Sequence, residues 1–492
     1  MSPLIVNGVT GILVLSLVKI LWTLIQCTRS PVAVVPGPWH TKYTSVVATY
    51  KLLTGTRTEW VEELHQRYGN IVRLSPNEIQ FSSIKAVKTI HSYRKVFPKS
   101  AFYSYFTSAY KVQSVFNTTD LVTHARYRRL LAGPLSESGL KNVEALVDSR
   151  ATMAIEKIGE EMDKKGYANA MQWWLFMATD VIGELSFGDS FRMLELGHKT
   201  QYALDLQSVA PAIGIISAFP TFYYATKRLG LPFFRNTMSR VARMRSYAEQ
   251  SIQRYDRVIA TNPQNAKPTL LTKLFLAQEK DETMSQEEIT ANAQAFIVAG
   301  SDTTAHTMTY ITWMLCRPEN IGIKKTLLAE LATLPEVFHN EDLKNLQYLD
   351  GVIHEALRLF APAPAGLPRD VPKGGCEVDG VWLPEGTVVT TQAYTLHRDP
   401  AVFPEPEKLK PERWANPTQN MKDAFMPWGG GSRICIGMHL AYMEMRLATA
   451  KFFRRFPDSR TSTAEGFCDS DMDQVIFFLM FPKKKRCMIE AK

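Results

Sequence analysis

The run Phe425-Met-Pro-Trp-Gly-Gly-Gly-Ser-Arg-Ile-Cys435-Ile-Gly437 constrains the fold of this chain more than any other stretch. Three consecutive glycines, Gly429, Gly430 and Gly431, weaken any helix or strand, so they predict a tight loop whose backbone approaches a flat partner closely. Gly437 extends that freedom past Cys435, and Met438 to Arg446 carry the apolar spacing of a helix. A cysteine just before a helix meets its N-terminal amides, and Arg433 two residues away favours the ionised thiol. Two readings of Cys435 stay open on these residues alone: a thiolate ligand for a soft metal, or a packing residue after a glycine turn.

A second organising stretch begins at Ser285-Gln-Glu-Glu288, a capping box that opens a helix running toward Pro318. Such a helix of roughly 30 residues spans ~45 Å, enough to cross a whole domain. Ala299-Gly-Ser-Asp302-Thr303-Thr304 stands in its middle. Glycine inside a helix costs about 1 kcal/mol relative to alanine. Gly300 therefore needs a reason, and a local opening of the helix that makes room for a ligand is expected. An Asp–Thr pair that merely bends the helix is the alternative. Glu355-Ala-Leu-Arg358 and His124-Ala-Arg-Tyr-Arg128 each put their end residues on one helix face. By themselves these are an ordinary surface pair and a solvated basic face.

No low-complexity linker divides the 492 residues, and 45% hydrophobic against 21% charged residues is a globular balance that excludes disorder as the default. The net charge of +9 suits an acidic partner or an anionic membrane; the scattered basic residues match no nucleic-acid motif. Six cysteines without a CxxC pair predict free thiols in a reducing compartment.

From Val9 to Gln26 the chain is apolar except for Thr10, Ser16, Lys19 and Thr23, and a membrane span needs roughly 20 such residues. A cleaved signal peptide is the rival, but the charged n-region is missing. Arg29 and Lys42 follow the span while no Lys or Arg precedes it, which predicts a cytosolic bulk. Pro31, Pro36 and Pro38 then predict a stiff, extended spacer. Residues 1–28 thus read as an anchor, 29–42 as a hinge and 43–492 as the catalytic domain. Glu59 to Tyr68 has a helical pattern, and Ile71 to Phe81 reads as two strands about a Pro76-Asn77 turn. Phe102, Tyr103, Tyr105, Phe106 and Tyr110 are spaced for neither helix nor strand; core packing and a roof over an apolar ligand are both open. Val143 to Leu276 is mostly amphipathic helix, and the apolar stretch Val209 to Tyr224 reads as core or as a lid that meets lipid.

Taken in order, His124-x-x-x-Arg128, Ala299-Gly-Ser-Asp302-Thr303, Glu355-x-x-Arg358, Pro411-Glu-Arg413-Trp414 and the Gly431-x-Arg433-x-Cys435-x-Gly437 loop resemble the cytochrome P-450 superfamily. The run Tyr68 to Ile79 is similar to its filamentous-fungal microsomal members. The resemblance covers nearly the whole chain. It implies a mainly α fold of triangular outline with a small β portion, behind a single N-terminal transmembrane anchor in the endoplasmic reticulum.

By that likeness Cys435 is the axial ligand of haem b, and His124, Arg128, Arg369 and Arg433 hold its propionates, with Gly431, Gly437 and Trp428 shaping the loop. Trp428 departs from the family's usual Phe, and its indole N–H is expected to donate to the sulfur and soften its electron push. Thr303 and Asp302 handle protons opposite the sulfur. Glu355, Arg358 and Arg413 form a buried charge cluster, and His397 reads as structural. Phe102, Tyr105, Phe106, Ala299, Ala363, Ala365 and Leu367 line the substrate pocket.

The implied reaction inserts one atom of O2 into an apolar small molecule, a fungal secondary metabolite. Electrons come from NADPH through a flavoprotein reductase, with a cytochrome b-type protein as a further donor, since no GxGxxG follows a strand in this chain. Three alternatives share the same centre: a haem-thiolate isomerase or dehydratase, an oxidative-coupling enzyme, and a membrane-tethered haem carrier or sensor that needs no Asp–Thr pair.

Overall fold

A computed structural model describes residues 14, 18–19, 21–107, 112–219, 228, 232–261, 269–272 and 284–491. The helices that frame the site are α1 (Val46–Leu53), α2 (Arg57–Tyr68), α3 (Ile84–Ile90), α4 (Leu121–Leu131), α5 (Glu144–Lys165) and α6 (Ala170–Phe187). They continue with α7 (Gln201–Ala218), α8 (Pro232–Thr261), α9 (Gln286–Cys316), α10 (Ile321–Leu331), α11 (Gln347–Leu359) and α12 (Met438–Arg455). The strands are β1 (Ile71–Ser75), β2 (Glu78–Phe81), β3 (Ala168–Asn169), β4 (Arg369–Asp370), β5 (Cys376–Val378), β6 (Val381–Leu383), β7 (Val388–Thr391), β8 (Arg460–Thr461), β9 (Gln474–Ile476), β10 (Met480–Pro482) and β11 (Met488–Glu490). Helix dominates and the sheet portion is small, as the motifs imply.

The capping box forms as expected. The Ser285 hydroxyl accepts the Glu288 N–H at 3.2 Å, and the Glu288 carboxylate accepts the Ser285 N–H at 2.8 Å. At the far end, Arg317 turns extended before Pro318 and stops α9. Along its length α9 packs on α6, which is buried on nearly every face, as a helix apolar all round must be. The packing also explains Gly300, and differently from the expectation. The helix stays continuous there, and a Cβ on Gly300 would lie 2.9 Å from Ile182 Cγ1 of α6. Close approach of two helices, with no break in α9, is the reason for the glycine.

The main sheet has the order β1-β2-β7-β4, with β2 parallel to β7 and Gln80 opposite Thr390. β1 and β2 join through Pro76 and Asn77 as predicted. β4 pairs antiparallel with β7, which sets Arg369 opposite Val389. Two-stranded β9-β10 and β5-β6 and three-stranded β3-β11-β8 complete the β portion.

The proline stretch is not an extended spacer. Pro31–Val34 is a 3-10 turn with proline at its first helical position, where it is accepted, and Trp39–Lys42 is a second one that follows Pro38. Arg73 of β1 ties them down, donating to the carbonyls of Ala33 at 2.9 Å and Val35 at 2.5 Å and to the Thr41 hydroxyl at 3.2 Å. Among the described residues no helix is long and apolar enough to cross a membrane. Half of the expected span, together with Tyr110, Pro220 to Tyr224 and the side chain of Phe106, lies outside the described residues.

Candidate active site

The glycine loop is a closed hairpin. Cys435 N–H donates to the Trp428 carbonyl at 2.9 Å, and Ile434 N–H donates to Gly431 at 3.1 Å. Gly431 has φ +61°, and a Cβ there would stand 2.2 Å from the His91 carbonyl oxygen. No other residue fits both demands, so the loop docks on the end of α3. Gly437, by contrast, has an ordinary φ of −89° at the start of α12. Its contribution is an N–H: burial raises the Cys435 thiol pKa, while the Gly437 amide and the Arg128 charge oppose that rise. Cys435 is nevertheless exposed on part of its surface.

The Trp428 expectation is corrected. Its indole N–H donates to the Tyr442 hydroxyl at 3.2 Å. Tyr442 lies on α12, and the two rings sit 5.2 Å apart.

Around this loop the structure gathers cations. Arg128 of α4 donates to the Ile434 carbonyl, and Arg433 donates to the Thr118 carbonyl at 2.9 Å while its Nε and a terminal nitrogen are buried without a partner. Arg369 is buried on β4, its guanidinium 5.7 Å from the Tyr103 ring. Lys99 pairs with Arg369 through a backbone bridge, and its ammonium lies 4.1 Å from the Tyr103 ring and 4.2 Å from that of Phe116. Burial depresses its pKa well below the usual lysine value, helped by Arg369 and Arg433. His124 is pushed down to about 3, first by burial and then by Arg433, Lys99, Arg128 and Arg369. His91 behaves likewise, held at about 3 by burial and Arg369, with Nδ1 unpartnered. Charges of one sign crowded inside a fold are unfavourable without an anion.

The sequence reading brought His124, Arg128, Arg369 and Arg433 to this place and missed Lys99 and His91. Nothing local marks them. Lys99, between Pro98 and Ser100, reads as a surface lysine until β4 pairs with its segment.

The centre of α9 is open where its flanks are buried. Val298 is 41% exposed and Ala299 is exposed, with Asp302 and Thr303 half-buried. The Thr303 hydroxyl donates to the Ala299 carbonyl at 2.6 Å, leaving its oxygen lone pairs free to accept. Asp302 carries its charge toward Lys199 and toward buried His306, and Lys485 reaches the same two groups.

Phe102 meets Phe478 at 6.0 Å, and Phe116 meets Phe478 at 6.0 Å, an aromatic group whose last two members the sequence did not single out. Tyr105 packs on Ile216 of α7. Ala363 is half-buried and Ala365 packs on the main core. Leu367 packs on the cluster of Val87, Ala361, Ala393, Leu396 and Met426, and its Cδ1 is 3.5 Å from where a Gly429 Cβ would be, so it faces the cysteine loop.

Glu355, Arg358 and Arg413 come together as expected. Glu355 Oε1 is 2.7 Å from Arg358 Nε and 3.2 Å from Arg413 Nε. Fully buried His397 links this cluster to the loop: its Nε2 accepts the Met426 N–H at 3.0 Å, so Nδ1 carries the proton shared with the Arg358 carbonyl at 3.0 Å. Burial holds its pKa at about 3 against an ordinary 6.5. Between those values the unfolded chain binds a proton that the fold refuses, so stability is lost as pH falls. Each pH unit below 6.5 is expected to remove about 1.4 kcal/mol through this one residue. Urea unfolding midpoints at pH 7 and pH 5 check it: His397→Gln should be less stable at pH 7 and show a shallower pH slope.

The sequence profile of the cytochrome P-450 family matches residues 36–486. This chain belongs to the cytochrome P-450 family. The cytochrome P-450 monooxygenase tazI of Aspergillus terreus is 41% identical over 486 residues, covering 99% of both chains. The cytochrome P-450 monooxygenase orf2 of Aspergillus niger is 39% identical, covering 98% of this chain and 96% of its own length. The cytochrome P-450 monooxygenase aflV of Aspergillus parasiticus is 30% identical, covering 97% of this chain and 94% of its own. This cytochrome P-450 is accordingly a monooxygenase, with the haem-thiolate centre, dioxygen and externally supplied electrons that the family uses.

Proposed function

We propose that this cytochrome P-450 is a membrane-anchored enzyme of fungal secondary metabolism that hydroxylates, or similarly inserts oxygen into, an apolar small molecule. The observation that carries the reading is the set of buried cations beside the cysteine loop. A planar group bearing two carboxylates answers all of their charge at once, and haem b has that chemistry. The orphaned nitrogens of Arg433 are the donors such a group needs. In this reading Cys435 is the axial ligand, and Arg433, Arg369, Lys99, His124 and Arg128 hold the propionates. Bound there, a thiolate-ligated haem supplies the electron push for O–O cleavage and oxygen transfer to a C–H bond.

The chain's own residues do the rest. The Thr303 oxygen, anchored through its proton to Ala299, accepts a hydrogen bond in the open stretch of α9 and orients a water there. Asp302, half-buried and within electrostatic reach of Lys199 and His306, stands where a solvent proton can enter. The joined rings of Phe102, Phe116 and Phe478 supply apolar surface that excludes water and fits a ring-bearing substrate. The relatives come from filamentous fungi, which supports the metabolic setting. The exposed side chains Leu21, Trp22, Leu24 and Ile25 support anchoring in a membrane, which in this reading is that of the endoplasmic reticulum, with Arg29 and Lys42 keeping the domain in the cytosol. A flavoprotein reductase, with a cytochrome b-type protein as a second donor, supplies the electrons.

The test is the carbon monoxide spectrum of the reduced, purified protein, followed by NADPH-dependent oxygen uptake with a reductase. A Soret band shifted to the red, with uptake stimulated by apolar metabolites, is expected. An unshifted band overturns the ligand assignment, and turnover of a hydroperoxide without any reductase overturns the monooxygenase reading in favour of an isomerase.

A further inference from the structure

We propose that Tyr442 is a positioning residue that holds the indole N–H of Trp428 away from the Cys435 sulfur. The proposal rests on Cys435 being the axial ligand. Trp428 and Cys435 are joined across the hairpin by the Cys435 N–H bond to the Trp428 carbonyl at 2.9 Å, so indole and sulfur hang from facing positions of one loop. An indole N–H can only donate, and a thiolate is a ready acceptor. Left to itself the pair would form an N–H···S bond and drain electron density from the sulfur.

A directed chain of hydrogen bonds prevents this. Trp428 Nε1 donates to Tyr442 Oη at 3.2 Å, Tyr442 Oη lies 3.4 Å from His354 Nε2, and His354 Nδ1 lies 2.6 Å from the Asp350 carbonyl oxygen. Its direction follows from its ends. A carbonyl can only accept, so His354 Nδ1 carries the proton. Burial lowers the His354 pKa, the ring is neutral, and Nε2 is left as an acceptor for the tyrosine hydroxyl. The tyrosine oxygen is then free to take the indole proton. Every member has the partner it needs, with no donor facing a donor.

The chain is also held from outside. Arg446 lies 5.2 Å from the Tyr442 ring centre while binding both oxygens of Asp350 at 2.8 and 3.0 Å. The His354 ring lies 4.8 Å from Trp414 and 5.3 Å from Phe425. Contacts of α11 and α12 therefore hold the acceptor independently of the indole. The chain thus has the bulk of tryptophan at position 428 and the electronics of a residue without an N–H.

Reduction potentials of the full-length, haem-loaded protein test this as a double-mutant cycle. Tyr442→Phe keeps the ring and removes the acceptor; the freed indole should turn to the sulfur, raising the potential and moving the ferrous carbon monoxide band. In a Trp428→Phe background the same Tyr442→Phe change should move neither. A potential that stays put in Tyr442→Phe, or shifts equally in both backgrounds, overturns the proposal. Should Tyr442→Phe lose haem, ultraviolet resonance Raman of the wild type minus Trp428→Phe isolates the one indole. A hydrogen bond to oxygen supports the proposal, and a free or sulfur-bonded N–H overturns it. Failure of the ligand assignment would look different: the wild type itself would lack the red-shifted band.

Discussion

Replacing Cys435 with serine is expected to abolish the red-shifted carbon monoxide band and reduce monooxygenase turnover to background, while the protein still folds. The two halves of that expectation have separate causes. The backbone N–H bond to Trp428 at 2.9 Å survives the change, and the side chain is exposed, so a hydroxyl in its place opens no core cavity. What is lost is the soft, ionisable ligand that pushes electron density toward the iron, a role that a hydroxyl of far higher pKa does not take over. Cys316 is the internal control. Its thiol is buried and 3.4 Å from the Ser459 hydroxyl, with burial pushing its pKa up to about 11. Cys316→Ala should lower stability by a core-packing amount and leave the spectrum intact. Haem content, the carbon monoxide difference spectrum and oxygen uptake, measured on the two variants in parallel, separate ligand from packing cysteine. A red-shifted band retained in Cys435→Ser would remove the proposed centre altogether.

What the sequence made legible is what short-range chemistry decides. Ser285 and Glu288 are three residues apart and cap α9 whatever else the chain does, and Pro76-Asn77 forces the turn between β1 and β2. The cysteine loop was readable because its glycines leave few alternatives. Features set by distant partners were not. Lys99 enters the cation cluster because its segment bridges to Arg369, a residue 270 positions away. Gly300 answers to Ile182 on another helix, and the indole of Trp428 to a tyrosine on the helix that follows, where helical spacing gives no guide to a loop side chain. The proline stretch misled for the same reason: its conformation is set by the Arg73 guanidinium, which lies on β1.

The second large effect is expected at Arg358, whose hydrogen bonds all run to residues outside the cysteine loop. Its planar guanidinium is fully buried and serves five acceptors: the two Glu355 oxygens at 2.7 and 2.9 Å and the carbonyls of His397 at 2.9 Å, Pro406 at 2.5 Å and Lys408 at 3.1 Å. Arg358→Ala leaves the Glu355 carboxylate buried with Arg413 at 3.2 Å, the Trp414 indole N–H at 2.9 Å and the Lys410 amide at 2.9 Å as its remaining partners, and strands three carbonyls. Breaking a buried pair from one side typically costs about 3–5 kcal/mol, a large share of the roughly 5–15 kcal/mol that holds a domain together. Arg358→Lys should fare little better, because an ammonium offers three donors at one point where the acceptors are spread around a planar fork. The loss reaches the site through His397, which receives the Met426 N–H on one ring nitrogen and meets the Arg358 carbonyl with the other. Both variants should therefore express with little bound haem and unfold at markedly lower temperature than Cys435→Ser, whose charge cluster is intact. Haem retained at wild-type level in Arg358→Ala would show that the cysteine loop holds its shape without the cluster beneath it.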